Sequence, residues 1–325
     1  MSKGKVGGEI SIWLDYGQAG STPNFLPNLS ALADAGQYLW TASDEMRTIE
    51  CLARHRDGYR LHRQFKLDKL FPGLPGAQVG HEADIEGLDI ADGRLWVCGS
   101  HSLTRRSRRK ENADRVDPKI RKRPSRRLLG AVSLSGDGGA VNAPGDTLPY
   151  RGAGSLRAML GAIPHIAPFI DLPSKENGLD VEGLTVYRKK IYVGLRGPVV
   201  DNIAIIAAMN VGAEFVIDEE SLFLHFVDLG GLGVRDLTRW KDGILILAGP
   251  VSSADGPFAL HQWQPRRTGM IQKPQRVGNF RDGPDHPEGI CGLRHGDADG
   301  LIVIYDTSNP KRTIGKRYRA DWIRL

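Results

Sequence analysis

The string DIEGLDI at residues 84–90 returns as DVEGLTV at 180–186 and, more loosely, as HPEGICG at 286–292. Two further segments fall into the same frame, NLSALADAGQYLWTASDE from Asn28 and GVRDLTRWKDGILILAGPV from Gly233. In each copy a short apolar run is followed by a two- or three-residue polar turn, often Asp-Gly, and then by a second, stronger apolar run. That pattern reads as a β-hairpin. A chain that repeats one hairpin at long intervals has few folds open to it.

The copies start 56, 96, 53 and 53 residues apart. Taking about forty inserted residues out of the long interval restores the period. A fainter echo precedes each start: WLDYG at 13–17, FKLDKL at 65–70, FIDLP at 169–173, FVDLG at 226–230 and VGNF at 277–280. Each module is therefore expected to end in another strand. Modules of roughly fifty residues with about four strands each predict an all-β β-propeller, one domain over residues 1–325. Five blades are expected, or six if the interval 103–168 hides a degenerate one. EISIWLDYG near the N-terminus is expected to complete the blade that begins at His286 and ends in ADWIRL, which removes free sheet edges. An unclosed sandwich, or two all-β domains, is the competing architecture.

Composition agrees, with 40 glycines and 19 prolines in 325 residues favouring short strands and tight turns over long helices. SLRAMLGAI reads as a short helix inside the second module. No stretch approaches the apolar length of a membrane span and the first residues hold no apolar core of a leader, so no membrane contact is expected. Cys51, Cys98 and Cys291 are odd in number and match no zinc spacing. They read as buried thiols in a reducing compartment, the cytoplasm.

In a propeller the first strand of every module lines the axis, so the residues opening the repeats meet at one mouth of the channel. Here these are Ser30, Glu86, Glu182, Arg235 with Asp236, and Glu288. Crowded carboxylates persist only when protonated, paired with a cation or bound to a metal. Oxygen-only ligands favour a hard ion, Ca²⁺ first and Mg²⁺ as the alternative. The expected metal ligands are Glu86, Glu182 and Glu288, the competing expectations being ion pairs with Arg196 and Arg235, or acids that only cap solvated tight turns. The glycine after each glutamate is expected where strands crowd near the axis. The ends of the second strands, Ser43-Asp44-Glu45, Gly99-Ser100-His101, Leu195-Arg196-Gly197-Pro198, Ala248-Gly249-Pro250 and Asp306-Thr307-Ser308, are expected at the opposite mouth. His101 and His286 are candidate acid–base groups because imidazole titrates near neutrality. Asp236 is a further proton-transfer candidate. Lys175, Glu176 and Asn177 either shape a pocket or make a turn closed by Gly178.

Charge is uneven. Between Arg105 and Arg127 twelve Lys or Arg stand against Glu111, Asp114 and Asp117, although the whole chain carries only +6. The insertion 104–127 accounts for the basic balance and leaves the body mildly acidic. It reads as a solvated charged loop or short helix pairing with that body, as a polyanion or nucleic-acid contact, or as a lid carrying arginines to an anionic substrate. It holds no aromatic residue for base stacking, so nucleic acid is not favoured.

DIEGLD, WVCGSHS followed by a basic stretch, PSKENGLDVEGL, GLRGPV, DLGGLGVRDL, LAGP and HPEGI together resemble a bacterial family designated domain of unknown function 3616, from about residue 25 to the C-terminus. The resemblance implies a β-propeller and no settled reaction. It extends distantly to phytase-like and SdiA-regulated propellers, whose axial acids bind calcium, and this implies a metal role for Glu86, Glu182 and Glu288. Ser30 and Arg235 depart from that pattern where an acid would fall. Two functional expectations follow. One is a non-catalytic propeller that binds a hard divalent ion and a small anionic ligand at the channel. The other is a metal-dependent hydrolase, phosphoester first, in which Arg235 or Arg196 steadies the anion and His286 or Asp236 moves the proton.

Overall fold

A computed structural model describes residues 10–106, 115–142, 144–281 and 283–325. The first blade runs outward from the axis through β2 (Leu29–Asp34), β3 (Tyr38–Ser43), β4 (Thr48–His55) and β5 (Gly58–Lys66). The second comprises β6 (Ile85–Ala91), β7 (Arg94–Gly99), β10 (Leu129–Ser133) and β11 (Asp146–Thr147). The third holds β12 (Asp180–Tyr187), β13 (Lys190–Gly197), β14 (Ala204–Met209) and β15 (Phe223–Val227), and the fourth β16 (Gly233–Trp240), β17 (Gly243–Gly249), β18 (Ala259–Trp263) and β19 (Gln275–Asn279). In the fifth, β20 (Asp285–His295), β21 (Ala298–Thr307) and β23 (Arg317–Arg324), on which the two-residue β22 (Thr313–Ile314) folds back, are completed by β1 (Ile10–Asp15) from the other end of the chain. The inner strands β2, β6, β12, β16 and β20 touch in sequence and close into a ring. The fold is a β-propeller of five blades.

Closure follows the sequence expectation and goes one step further. Strand β1 pairs antiparallel with β23, Ile10 opposite Trp322, and also parallel with β5 of the first blade, Trp13 opposite Gly58. The outer edges of the first and last blades are thereby joined.

The hydrophobic core is divided into five clusters, one at each contact between neighbouring blades. Because strand side chains alternate between faces, a middle strand feeds two clusters. Ile205 and Ala207 of β14 pack toward the second blade, while Ile206 and Ala208 pack toward the fourth. Both faces are buried, which accounts for continuous apolar runs such as AIIAAM and GILILAG where a one-faced sheet would alternate. The hairpin turn at Asp92-Gly93 has φ of 50° and 70°, the left-handed pair that a two-residue turn requires, and the sequence supplies the Asp-Gly to accept it.

The long interval contains no sixth blade among the described residues. It supplies the outer half of blade two, a short helix (Leu156–Gly161) capped by the Ser155 hydroxyl, and a hairpin of β8 (Leu103–Arg105) with β9 (Ile120–Lys122). The basic insertion thus forms a short β-ribbon, where a loop or helix was expected; residues 107–114 lie outside the described part. FIDLP is also not a strand. Phe169 ends a 3₁₀ turn at Ala167–Phe169, and the outer strand of blade two is the two-residue β11.

Candidate functional site

Every inner strand carries a β-bulge near its start, and the residues passed over by the pairing are Ser30, Glu86, Glu182, Arg235 and Glu288. A bulge bends the strand and re-aims the side chain it carries. The repeated position is thus singled out by backbone geometry in all five blades. The glycines that follow the glutamates have the expected cause: a Cβ on Gly87 would lie 2.5 Å from Leu184 Cβ, and one on Gly183 would lie 2.9 Å from the Leu237 nitrogen.

Glu86, Glu182, Arg235 and Glu288 line a cavity of about 440 Å³ at one mouth of the channel, together with Asp44, Asp84, Asp180, Asp306, Arg126, Arg196 and His286. Ser30 is not at its surface; its hydroxyl donates to the Ile85 carbonyl at 2.5 Å and ties blade one to blade two. Strand-two ends were expected at the opposite mouth, and the structure corrects this. In an antiparallel hairpin the last residues of strand two lie beside the first residues of strand one, so Asp180 pairs with Gly197 and Ile85 with Gly99. Asp44, Glu45, Arg196, Pro250 and Asp306 accordingly share the glutamates' cavity.

Two of the three glutamates are paired with arginines. Arg235 spans Glu182 of blade three, 2.9 Å away, and Glu288 of blade five. Arg196 reaches the second oxygen of Glu182 at 2.5 Å, with its remaining nitrogens on the Val251 and Ser252 carbonyls. Glu182 and Glu288 are therefore neutralised by arginines, as the competing ion-pair expectation had it. Glu86 has no hydrogen-bond or ion-pair partner among the described residues, although it is only 9% exposed. One oxygen each of Asp44, Asp84 and Glu86 lie within 4.8 Å of one another. Burial, then the Asp84 charge, pushes the carboxyls of Asp44 and Glu86 well above the ordinary range. Asp84 sits in the left-handed region at φ 54° and pairs with Arg126 at 2.7 Å.

Asp84 and Asp44 were missed as members of the carboxylate group around Glu86. The D-x-E spacing of DIEG and DVEG carried part of the signal, since it sets Asp84 and Asp180 on the same rim as the glutamates. Asp44 has no such mark; only the hairpin register brings it in.

Two proton-transfer candidates lie away from the cavity. Asp236 accepts from the Leu237 amide and, across the blade boundary, from the Ile290 amide, both at 2.7 Å. Its carboxylate is a staple between blades four and five. His101 is 1% exposed, its Nε2 3.1 Å from the Leu128 carbonyl, and burial lowers its pKa to about 3. His286 does line the cavity: its ring stacks on Phe258 at 5.6 Å and its Nε2 lies 3.3 Å from Asp255.

The basic ribbon forms part of the rim. Arg105 pairs with Glu176 at 2.5 Å, Arg121 with Asp117, Lys122 with Asp171, and Arg123 and Arg126 share Glu82. Glu176 and Lys175 also line the cavity, so the PSKENG segment contributes to it. Five of the described bases of the insertion 104–127 are thus paired with the protein's own acids. Around the whole lining, ten carboxylates face five arginine or lysine side chains.

A family model described as protein of unknown function (DUF3616) matches residues 28–320. The chain belongs to that family. Its cavity is thus the central site of a DUF3616 propeller. No curated protein matches the chain in sequence. Among solved structures, this DUF3616 chain is similar to a glutaminyl cyclase of Myxococcus xanthus, with TM-score 0.48 and 12% identity over 97% of this chain and 96% of that one. It is also similar to the exo-β-1,3-galactanase of Phanerochaete chrysosporium, with TM-score 0.49 and 10% identity over 100% of this chain and 64% of that one. No described helix is long and apolar enough to cross a membrane.

Proposed function

We propose that this DUF3616 propeller is a binding protein whose axial cavity holds a hard divalent cation, Ca²⁺ in preference to Mg²⁺, on Asp44, Asp84 and Glu86. The observation that carries the reading is the unpartnered, buried Glu86 beside two further carboxylates, in a lining where acids outnumber cations two to one. Such a group stays ionised only with a cation at hand. Oxygen donors of irregular arrangement suit calcium, which takes six to eight oxygens; three come from the carboxylates and leave positions for water and ligand. Arg126, Arg196 and Arg235 are all engaged by carboxylates, so a small anionic ligand would rest on the ion, with Lys175 of the lining as a further positive charge. The three free, buried thiols fit a reducing, cytoplasmic setting.

Calcium titration calorimetry, with elemental analysis of the purified protein, tests this. Binding near one ion per chain is expected, lost in Glu86→Gln and Asp44→Asn while both variants stay folded. Equal binding in wild type and both variants would place the ion elsewhere.

A second reading, metal-dependent hydrolysis, is favoured by His286, which lines the cavity with Asp255 against its Nε2. A water polarised by the ion would pass its proton to this imidazole. Calcium- or magnesium-dependent turnover of a phosphomonoester, absent in His286→Ala, supports it; no turnover across an ester and phosphoester panel counts against it.

A further inference from the structure

We propose that Arg126 is a tethered competitor for the cation at Asp84, and so sets both the affinity and the charge selectivity of the axial site. This rests on the ion-site reading above.

Arg126 closes a 3₁₀ turn, Pro124–Arg126, directly after the basic ribbon. Among the described residues it is the one cation ion-paired with a member of the Asp44, Asp84 and Glu86 group. Its Nη1 donates to Ser102 Oγ at 3.0 Å and lies 2.7 Å from Asp84 Oδ2, while its Nη2 lies 2.7 Å from Glu82 Oε1. A calcium ion bound to Asp84 would stand about 2.3–2.6 Å from a carboxylate oxygen. The guanidinium would then be a like charge drawing on the same carboxylate.

The arrangement gives Arg126 somewhere to go. Glu82 holds its other nitrogen, and Glu82 also pairs with Arg123, so losing the Asp84 pair does not strand a buried cation. The main chain stays fixed because the His101 amide donates to the Arg126 carbonyl at 2.9 Å. Ion loading therefore shifts a side chain between two carboxylates without moving the turn. A singly charged ion gains too little from Asp84 to displace a guanidinium that is already there, whereas a doubly charged one gains more. The competitor thus filters by charge as well as weakening affinity.

The test is calcium calorimetry at fixed ionic strength on wild type, Arg126→Gln, Arg126→Lys and Glu82→Gln, with folding checked by thermal melts. Arg126→Gln is expected to bind calcium about tenfold more tightly, equivalent to about 1.4 kcal/mol. Arg126→Lys, which keeps the charge, should stay within about threefold of wild type, on the order of 0.7 kcal/mol or less. Glu82→Gln leaves Arg126 without its fallback and should bind more weakly. Binding in wild type with unchanged or weaker affinity in Arg126→Gln overturns this inference and leaves the ion site standing. Equal tightening in Arg126→Gln and Arg126→Lys also overturns it, since charge would not be the cause. No heat from any of the four folded proteins overturns the ion site itself, and this inference with it.

Discussion

Arg235 of blade four lies 2.9 Å from Glu182 of blade three, and its other terminal nitrogen is held by Glu288 of blade five. One guanidinium therefore links three consecutive blades at the axis. Among the five bulged positions it is the only cation, and it changes what its neighbours do: two glutamates that sequence alone offers as metal ligands become its counter-ions.

Replacing Arg235 by Met should be costly. At 7% exposure it leaves the buried Glu182 and the partly buried Glu288 without their shared charge, a loss on the order of 3–5 kcal/mol. Adding Glu288→Gln to that variant should restore part of the loss. Urea denaturation of both variants checks this; a change below about 1 kcal/mol in Arg235→Met would mean the pair is dispensable.

Asp236 should behave as a structural residue, whatever ligand the cavity takes. Asp236→Ala orphans the Ile290 amide and should lower stability by about 1–3 kcal/mol. Calcium affinity should stay near the wild-type value when measured well below the melting temperature. A specific loss of ion binding with stability intact would return Asp236 to the site.

Glu86→Gln is expected to stabilise the protein in chelator and to remove stabilisation by calcium. The substitution removes the cost of burying a carboxylate and, after that, the repulsion from Asp84, Glu182 and Asp44. It also deletes a ligand, and a ligand that binds only the folded state raises its stability. Melting curves with and without calcium should thus cross: wild type shifts upward with the ion, the variant starts higher and stays put.

Glu50 gives a pH dependence away from the cavity. It is fully buried in blade one, accepts one bond from Gln64 at 3.1 Å, and burial raises its carboxyl from 4.5 to about 7. Between those values the folded state holds a proton that the unfolded chain has released. Stability from this group is therefore full below about pH 4.5 and lost as pH rises through about 7. Glu50→Gln should remove that slope, so its advantage over wild type grows from pH 5 to pH 8, by at most about 3 kcal/mol. Denaturation midpoints at the two pH values measure it, and parallel profiles would show that Glu50 is already ionised in the folded protein.

The ring of blades was legible because an acid and a glycine recur at the head of each inner hairpin in three copies, and because module spacing is nearly constant once the insertion is removed. Closure was legible as well, since EISIWLDYG is a strand without a hairpin partner nearby in the chain. The partition of charges was not. Whether Glu182 meets a metal or Arg196 depends on the hairpin register that sets Arg196 beside it, and repeat spacing carries no register. Asp44 is a similar case, a strand-two end that shares the cavity only because antiparallel strands return to their starting edge. The bulges at Glu86 and its counterparts leave no mark in hydrophobic periodicity beyond the glycine that follows three of them.

The double pairing of β1 has a bearing on how this molecule comes into being. Its strand partners are β5 and, some three hundred residues later, β23, so its full set of pairings can be completed only after the final strand has been made. During synthesis the early blades emerge with an unfinished seam, exposing the outer edge of β5 until β1 is itself held in place by β23. Such long-range closure is slow and leaves a pairing edge open in the interim. The seam between the first and last blades is where the nascent chain most needs protection from its neighbours.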